Sequence, residues 1–142
     1  MNTNQINKSL KNYKHFKGTY PKDLLPKFKN KPFAIIVNTD SSDKAGEHWV
    51  AIFSDNEMTE YFDSFGLPPL HHEIIKYLDS IANDWHYNSL TIQSVTSMTC
   101  GLFCVLYIKL RLSGYTYSDI IALFCHKLKL NDLLVSNLYK LL

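Results

Sequence analysis

No stretch of this sequence is both long and apolar enough to cross a bilayer as a helix. Its first twelve residues, MNTNQINKSLKN, lack the apolar core that a secretory signal needs. The expectation is a soluble, intracellular protein that is not secreted and has no membrane partner. Cysteine is scarce, with three in all and none before Cys100. That is too few for a disulfide framework, so they read as free thiols. Glycine and proline are also sparse, five each in 142 residues, which leaves no low-complexity linker. A single domain over 1–142 is expected, with residues 1–12 loosely ordered. Acidic residues are nearly missing from the start: residues 1–31 hold eight lysines and only Asp23, for a charge of +7, against −5 in the remainder. Lys8, Lys11, Lys14 and Lys17 are therefore candidate DNA contacts, although a solvated tail explains the same charge equally well.

The chain does carry periodic apolar segments. Phe16 to Pro21 reads as a turn-rich entry. Three strands are expected at Pro32–Thr39, His48–Phe53 and Met58–Asp63, each rich in β-branched and aromatic residues. Asp40–Gly46 reads as a loop and Leu90–Ile92 as a short fourth strand. Helical spacing predicts a helix from His71 to Asn83, with Ile74, Ile75, Leu78, Ile81 and Ala82 on one side. Two more helices are expected at Ser118–Lys127, capped by Thr116 or Ser118, and at Asn131–Leu142, capped by Asn131. Strands fall in the first half and helices in the second, so the class is α+β.

The chemistry gathers around Gln93-Ser-Val-Thr-Ser-Met-Thr-Cys100-Gly101-Leu-Phe-Cys104. The run from Cys100 to Leu112 is too apolar for a surface helix and predicts a buried one. Cys100 then stands at the helix start, where free N–H groups and the dipole favour a thiolate. Gly101, without a Cβ, leaves room for a substrate chain beside the sulfur, and Trp49 is a second cleft residue. With Ser54–Glu57 as a four-residue hairpin loop, paired residues sum to 111 and His48 faces Asp63. Glu60, the rival acid, then faces Ala51 and points to the other side of the sheet. His48 as base, Asp63 as orienting acid and Cys100 as nucleophile make a triad, and Gln93 adds an amide donor for an oxyanion. Cys104 reads as core. A zinc set of Cys100, Cys104, Cys125 and His126 matches no zinc spacing, so no metal is expected.

Asn38-Thr39, Gly46-Glu-His48-Trp49-Val-Ala, Tyr61-Phe-Asp63-Ser-Phe65-Gly66 and the Gln93–Cys104 stretch resemble the adenovirus maturation protease family, also called adenain. More distantly they resemble the SUMO- and ubiquitin-like-specific cysteine proteases of the same clan. The resemblance runs from about Phe16 to Leu112 and implies the same four roles for His48, Asp63, Gln93 and Cys100. It implies a small mixed sheet packed on helices, papain-like with permuted chain order. It further implies an endopeptidase of a DNA virus or virus-like element that cleaves capsid or core precursors near glycine-containing sites, in the host nucleus and virion. Protein or peptide substrates are the implied partners, and a monomer is expected. No cofactor is required by the residues; DNA is an activator by resemblance only. The adenovirus enzymes can carry a disulfide-linked activator peptide through a cysteine ahead of the Gln–Cys segment, which this chain lacks. Two alternatives are a deconjugating isopeptidase acting on a ubiquitin-like modifier and a non-catalytic binding module on the same fold.

Overall fold

A computed structural model describes residues 1–44 and 48–142. In chain order it forms α1 (Thr3–Leu10), β1 (Phe16–Pro21), β2 (Phe33–Asn38), β3 (Trp49–Ser54), β4 (Thr59–Phe62), α2 (His72–Ile81), β5 (His86–Tyr87), α3 (Cys100–Leu112), α4 (Tyr117–Ile121) and α5 (Leu128–Leu141). The strands make one five-stranded sheet in the order β1-β2-β3-β4-β5. Its outer pairs, β1 with β2 and β4 with β5, are parallel, and its inner pairs are antiparallel. The fold is thus α+β with a mixed sheet, as the sequence predicts.

Both faces of the sheet are covered, which is why β2 reads as an unbroken apolar run and not as an alternating one. Ala34, Ile36, Ala51, Phe53 and Phe62 belong to one core, with Phe103 to Ile108 of α3 and with Val135 of α5. Phe33, Ile35, Val37, Val50, Ile52 and Tyr61 belong to the other, with Ile74, Tyr77 and Leu78 of α2. α3 is the buried helix expected from its composition, and it begins at Cys100.

The loosely ordered start is corrected: residues 3–10 form α1. Asn2 accepts from the Gln5 backbone N–H while the Gln5 side chain accepts from the Asn2 N–H, a complete capping box. Ile6 and Leu10, one helical turn apart, are fully buried in the core beside α3. Burying each contributes about 1.5–3 kcal/mol, enough to hold a helix too short to persist alone.

Other elements shift as well. Phe16 to Pro21 is a strand, and Gly18, at φ 111°, accompanies the break in its register. Residues 90–92 form no strand; the last strand is His86–Tyr87, paired with Glu60 and Tyr61. The helix expected over Ser118–Lys127 is shorter, capped by Thr116. The last helix starts before Asn131, whose buried amide instead holds both backbone groups of Cys125. Of the expected loop Asp40–Gly46, Ala45 and Gly46 lie outside the described residues, as does Glu47.

The hairpin is also two residues out of the expected register. Ser54 pairs with Thr59 and Ala51 with Phe62, so partners sum to 113 and the loop is residues 55–58. Asp55 sets it there, because its carboxylate accepts the N–H groups of Glu57 and Met58. Glu60 accordingly faces Phe53, not Ala51. A two-residue slip preserves the side on which every residue points, so the separation of Glu60 from Asp63 survives the correction. Glu60 is spent within the core, where Tyr107 and Arg111 donate to its carboxylate.

Candidate active site

The site lies where β3, β4 and α3 meet. His48 immediately precedes β3, and Asp63 immediately follows β4. His48 Nε2 and Asp63 Oδ1 are 2.8 Å apart. Extending the hairpin register would set His48 opposite Phe65, not Asp63, so the hydrogen bond is a diagonal one. Phe65 takes the opposed place: its ring stacks on the imidazole at 4.8 Å between centroids. Asp63 is held firmly. Its carboxylate accepts from the Phe65 N–H, and its backbone N–H and carbonyl are both bonded by the buried Asn88 side chain.

With Nε2 engaged by Asp63, Nδ1 is the ring nitrogen left to serve Cys100, which lines the same cleft. Burial works against a charged imidazole, but the hydrogen bonds to Asp63 and Cys100 outweigh it and hold the His48 pKa at about 9. Burial likewise pushes the Cys100 thiol up. The hydrogen bond from His48, backbone amides at Trp49 and Gly101 and the nearby positive charge reverse that and bring it below the ordinary thiol range. The two groups therefore favour a thiolate–imidazolium pair. Cys104 is inert by contrast: it is fully buried, its Sγ donates to the Trp49 carbonyl, and burial raises its pKa well above the ordinary value.

Iodoacetamide should thus label Cys100 much faster than Cys104 or the exposed Cys125 at about pH 6–7. His48→Ala should remove most of that advantage. Because Asp63 raises the imidazole pKa, Asp63→Asn should make His48 lose its proton at lower pH. The pH at which the Cys100 pair dissociates to neutral imidazole should then move down from about 9. Mass-spectrometric labelling rates across pH would check this, and equal labelling of all three cysteines would count against an activated thiolate.

Gln93 is fully buried and lies in the same cleft as His48, Trp49, Phe65 and Cys100. Its side chain is gripped at both ends. Ser64 Oγ donates to Oε1, and Nε2 donates to the Ser97 carbonyl at 3.0 Å. An amide carries two N–H groups, so the second remains for a ligand in the cleft. The cleft encloses about 460 Å³, and Met1, Asn2 and Thr3 form part of its wall.

The structure thus brings His48, Asp63, Gln93, Cys100 and Trp49 together. It places Gly101 differently from expectation. A Cβ there would lie 3.1 Å from Met1 and 3.3 Å from the Trp49 ring, so the space is filled by the chain itself. The Trp49 indole N–H donates to the Met1 carbonyl at 3.0 Å, fixing that wall. Lys8 on α1, Lys11 and Lys14 after it and Lys17 on β1 are exposed, outside the cleft lining. Sequence reasoning missed Phe65, Ser64, Asn88 and Met1–Thr3 as parts of the site. Only the first two had a sequence signal, since they lie in the Asp63-Ser-Phe65-Gly66 stretch.

No family model matches the chain. It is 31% identical over 104 residues to proteins called SUMO-1 cysteine protease or cysteine protease from African swine fever virus isolates, covering 63% of this chain and 37% of theirs. It is 30% identical over 110 residues to the protease of bovine adenovirus 2, covering 66% of this chain and 53% of that protein. The chain therefore spans between about a third and about half the length of these curated relatives. The crystal structure of the African swine fever virus protease matches with a TM-score of 0.52 at 26% identity, over 72% of this chain and 42% of that one. Over the aligned part of its length, the chain is similar to these viral proteases and shares the fold of the African swine fever virus enzyme.

Proposed function

We propose that this chain is a cysteine endopeptidase of a DNA virus or virus-like element, acting on protein precursors during maturation. The observation that carries the reading is His48, with Nε2 on Asp63, lining one cleft with Cys100 and Gln93.

In the proposed reaction the Cys100 thiolate attacks the scissile carbonyl carbon. The C–S bond forms, and the carbonyl π electrons move onto oxygen. The free N–H of Gln93 and the backbone N–H of Cys100 bind that oxyanion. As the tetrahedral adduct collapses, the C–N bond breaks and imidazolium Nδ1 gives its proton to the leaving amine. Neutral His48 then takes a proton from water, which attacks the thioester. Release of the carboxylate product restores thiolate and imidazolium. Asp63 holds the ring in place for both proton transfers. Cleavage near glycine-containing sites is part of the same proposal, taken from the resemblance.

The experiment is digestion of a library of short peptides with mass-spectrometric readout, wild type against Cys100→Ala. A folded ubiquitin-like modifier joined to a peptide belongs in the same panel, because the African swine fever virus relative carries SUMO-1 in its name. Selective cleavage at that junction would move the reading to a deconjugating isopeptidase.

DNA as an activator is a separate proposal, motivated by the basic α1–β1 region. Duplex DNA should bind with a log–log salt slope near −0.9 for each phosphate neutralised. Replacing Lys8, Lys11, Lys14 and Lys17 with Gln should flatten that slope by up to about 3 to 4. An activator role additionally requires faster peptide cleavage with added DNA at low salt. Cleavage unchanged across a saturating DNA titration would exclude that role.

A further inference from the structure

The segment between Gln93 and Cys100 contains four hydroxyl residues, Ser94, Thr96, Ser97 and Thr99, and the bonds of the last two run in one direction. The direction is set from α5. Asp132 Oδ1 lies 3.1 Å from Thr99 Oγ1 and 3.4 Å from the Ser94 backbone nitrogen. A carboxylate can only accept, so the single Thr99 hydroxyl proton is committed to Asp132. The contact between Ser97 Oγ and Thr99 Oγ1, at 2.5 Å, must then have Ser97 as donor. Ser97 Oγ in turn accepts the Thr99 backbone N–H at 3.1 Å, which fixes the residue just before Cys100. The Ser97 carbonyl accepts from Gln93 Nε2 at 3.0 Å.

We propose that Asp132 is a positioning residue for the oxyanion donor, acting through Thr99 and Ser97 on the side-chain amide of Gln93. This rests on the endopeptidase reading above. α5 lies outside the cleft lining, so Asp132 touches no substrate; its effect is on where the second Gln93 N–H points. Without the carboxylate the Thr99 hydroxyl is free to rotate, so Thr99 Oγ1 is no longer held in place as the acceptor for Ser97. The segment 94–99 also loses its tether to the last helix.

The prediction is specific to kcat. Asp132→Ala should lower kcat for a cleaved peptide by about 10- to 100-fold, the scale of a small misplacement in an active site, while KM changes by less than about twofold. Asp132→Asn, whose amide oxygen still accepts, should keep most of the rate. In a Gln93→Ala background, Asp132→Ala should cost less than about twofold more, since the group it positions is gone. Thr99→Val should behave as Asp132→Ala does in both backgrounds, and it carries the test if Asp132→Ala does not fold. An unchanged kcat in a folded variant, or an equal loss in both backgrounds, would overturn the role. A wild type that cleaves peptides with a silent Asp132 sinks only this inference. A wild type with no Cys100-dependent cleavage sinks the proposed function and this role together.

Discussion

Cys100→Ala and His48→Ala should each abolish peptide cleavage, with a loss on the order of 10⁶ in kcat, the scale seen when a nucleophile or its base is removed from a triad. The reason is that the two groups act as one. The thiolate is stabilised by the imidazolium it faces, and the leaving amine needs that same proton. Removing either leaves only the oxyanion donors and binding. The fold should survive both changes. Cys100 is only partly buried at the first position of α3, and alanine is the best helix former. The apolar contacts of α3 come from Phe103, Val105, Leu106 and Ile108, which neither variant touches. Asp63→Asn should cost less than His48→Ala, because Asp63 orients the ring and transfers no proton. Circular dichroism would establish folding and peptide digestion the rate. A folded Cys100→Ala protein that cleaves at the wild-type rate would end the cysteine-protease reading.

Gln93→Ala should cost on the order of 10²–10³ in kcat, the loss expected for one oxyanion-hole donor. The geometry makes this a test of the donor and not of burial alone. Gln93 is fully buried, with Oε1 held by Ser64 and one amide N–H by Ser97, so a single N–H is free to act. Gln93→Glu keeps the shape and an acceptor for Ser64 but removes the donor and adds negative charge beside the developing oxyanion. Its loss should equal or exceed that of Gln93→Ala. Cys100 alkylation, which forms no oxyanion, should change by less than about tenfold in both variants. A Gln93→Glu protein with wild-type kcat would remove Gln93 from the mechanism.

The sequence by itself carried much of the frame. The apolar density of 100–112 located α3 to the residue, because a helix buried all round needs no amphipathic pattern to be recognised. β2, β3 and β4 followed from β-branched and aromatic runs. The pairing of His48 with Asp63 was legible even through a wrong register, since side chains alternate with period two and an even slip keeps their faces. The N-x-x-Q capping box at Asn2–Gln5 was also legible, yet high mean polarity masked the two apolar residues that anchor α1.

What only the tertiary structure decided are contacts between segments remote in sequence. The two-residue strand His86–Tyr87 exists because β4 offers an edge, and two residues carry no periodicity to read. Asn131 has the chemistry of a cap, but the backbone of Cys125 claims its amide. The space at Gly101 goes to Met1 and Trp49 because burial of Ile6 and Leu10 brings the chain start against α3. The grip of Ser64 on Gln93 and of Asp132 on Thr99 spans 29 and 33 residues, respectively. Local sequence specifies which groups are available to donate and accept, whereas only packing fixes which of them come within hydrogen-bond reach.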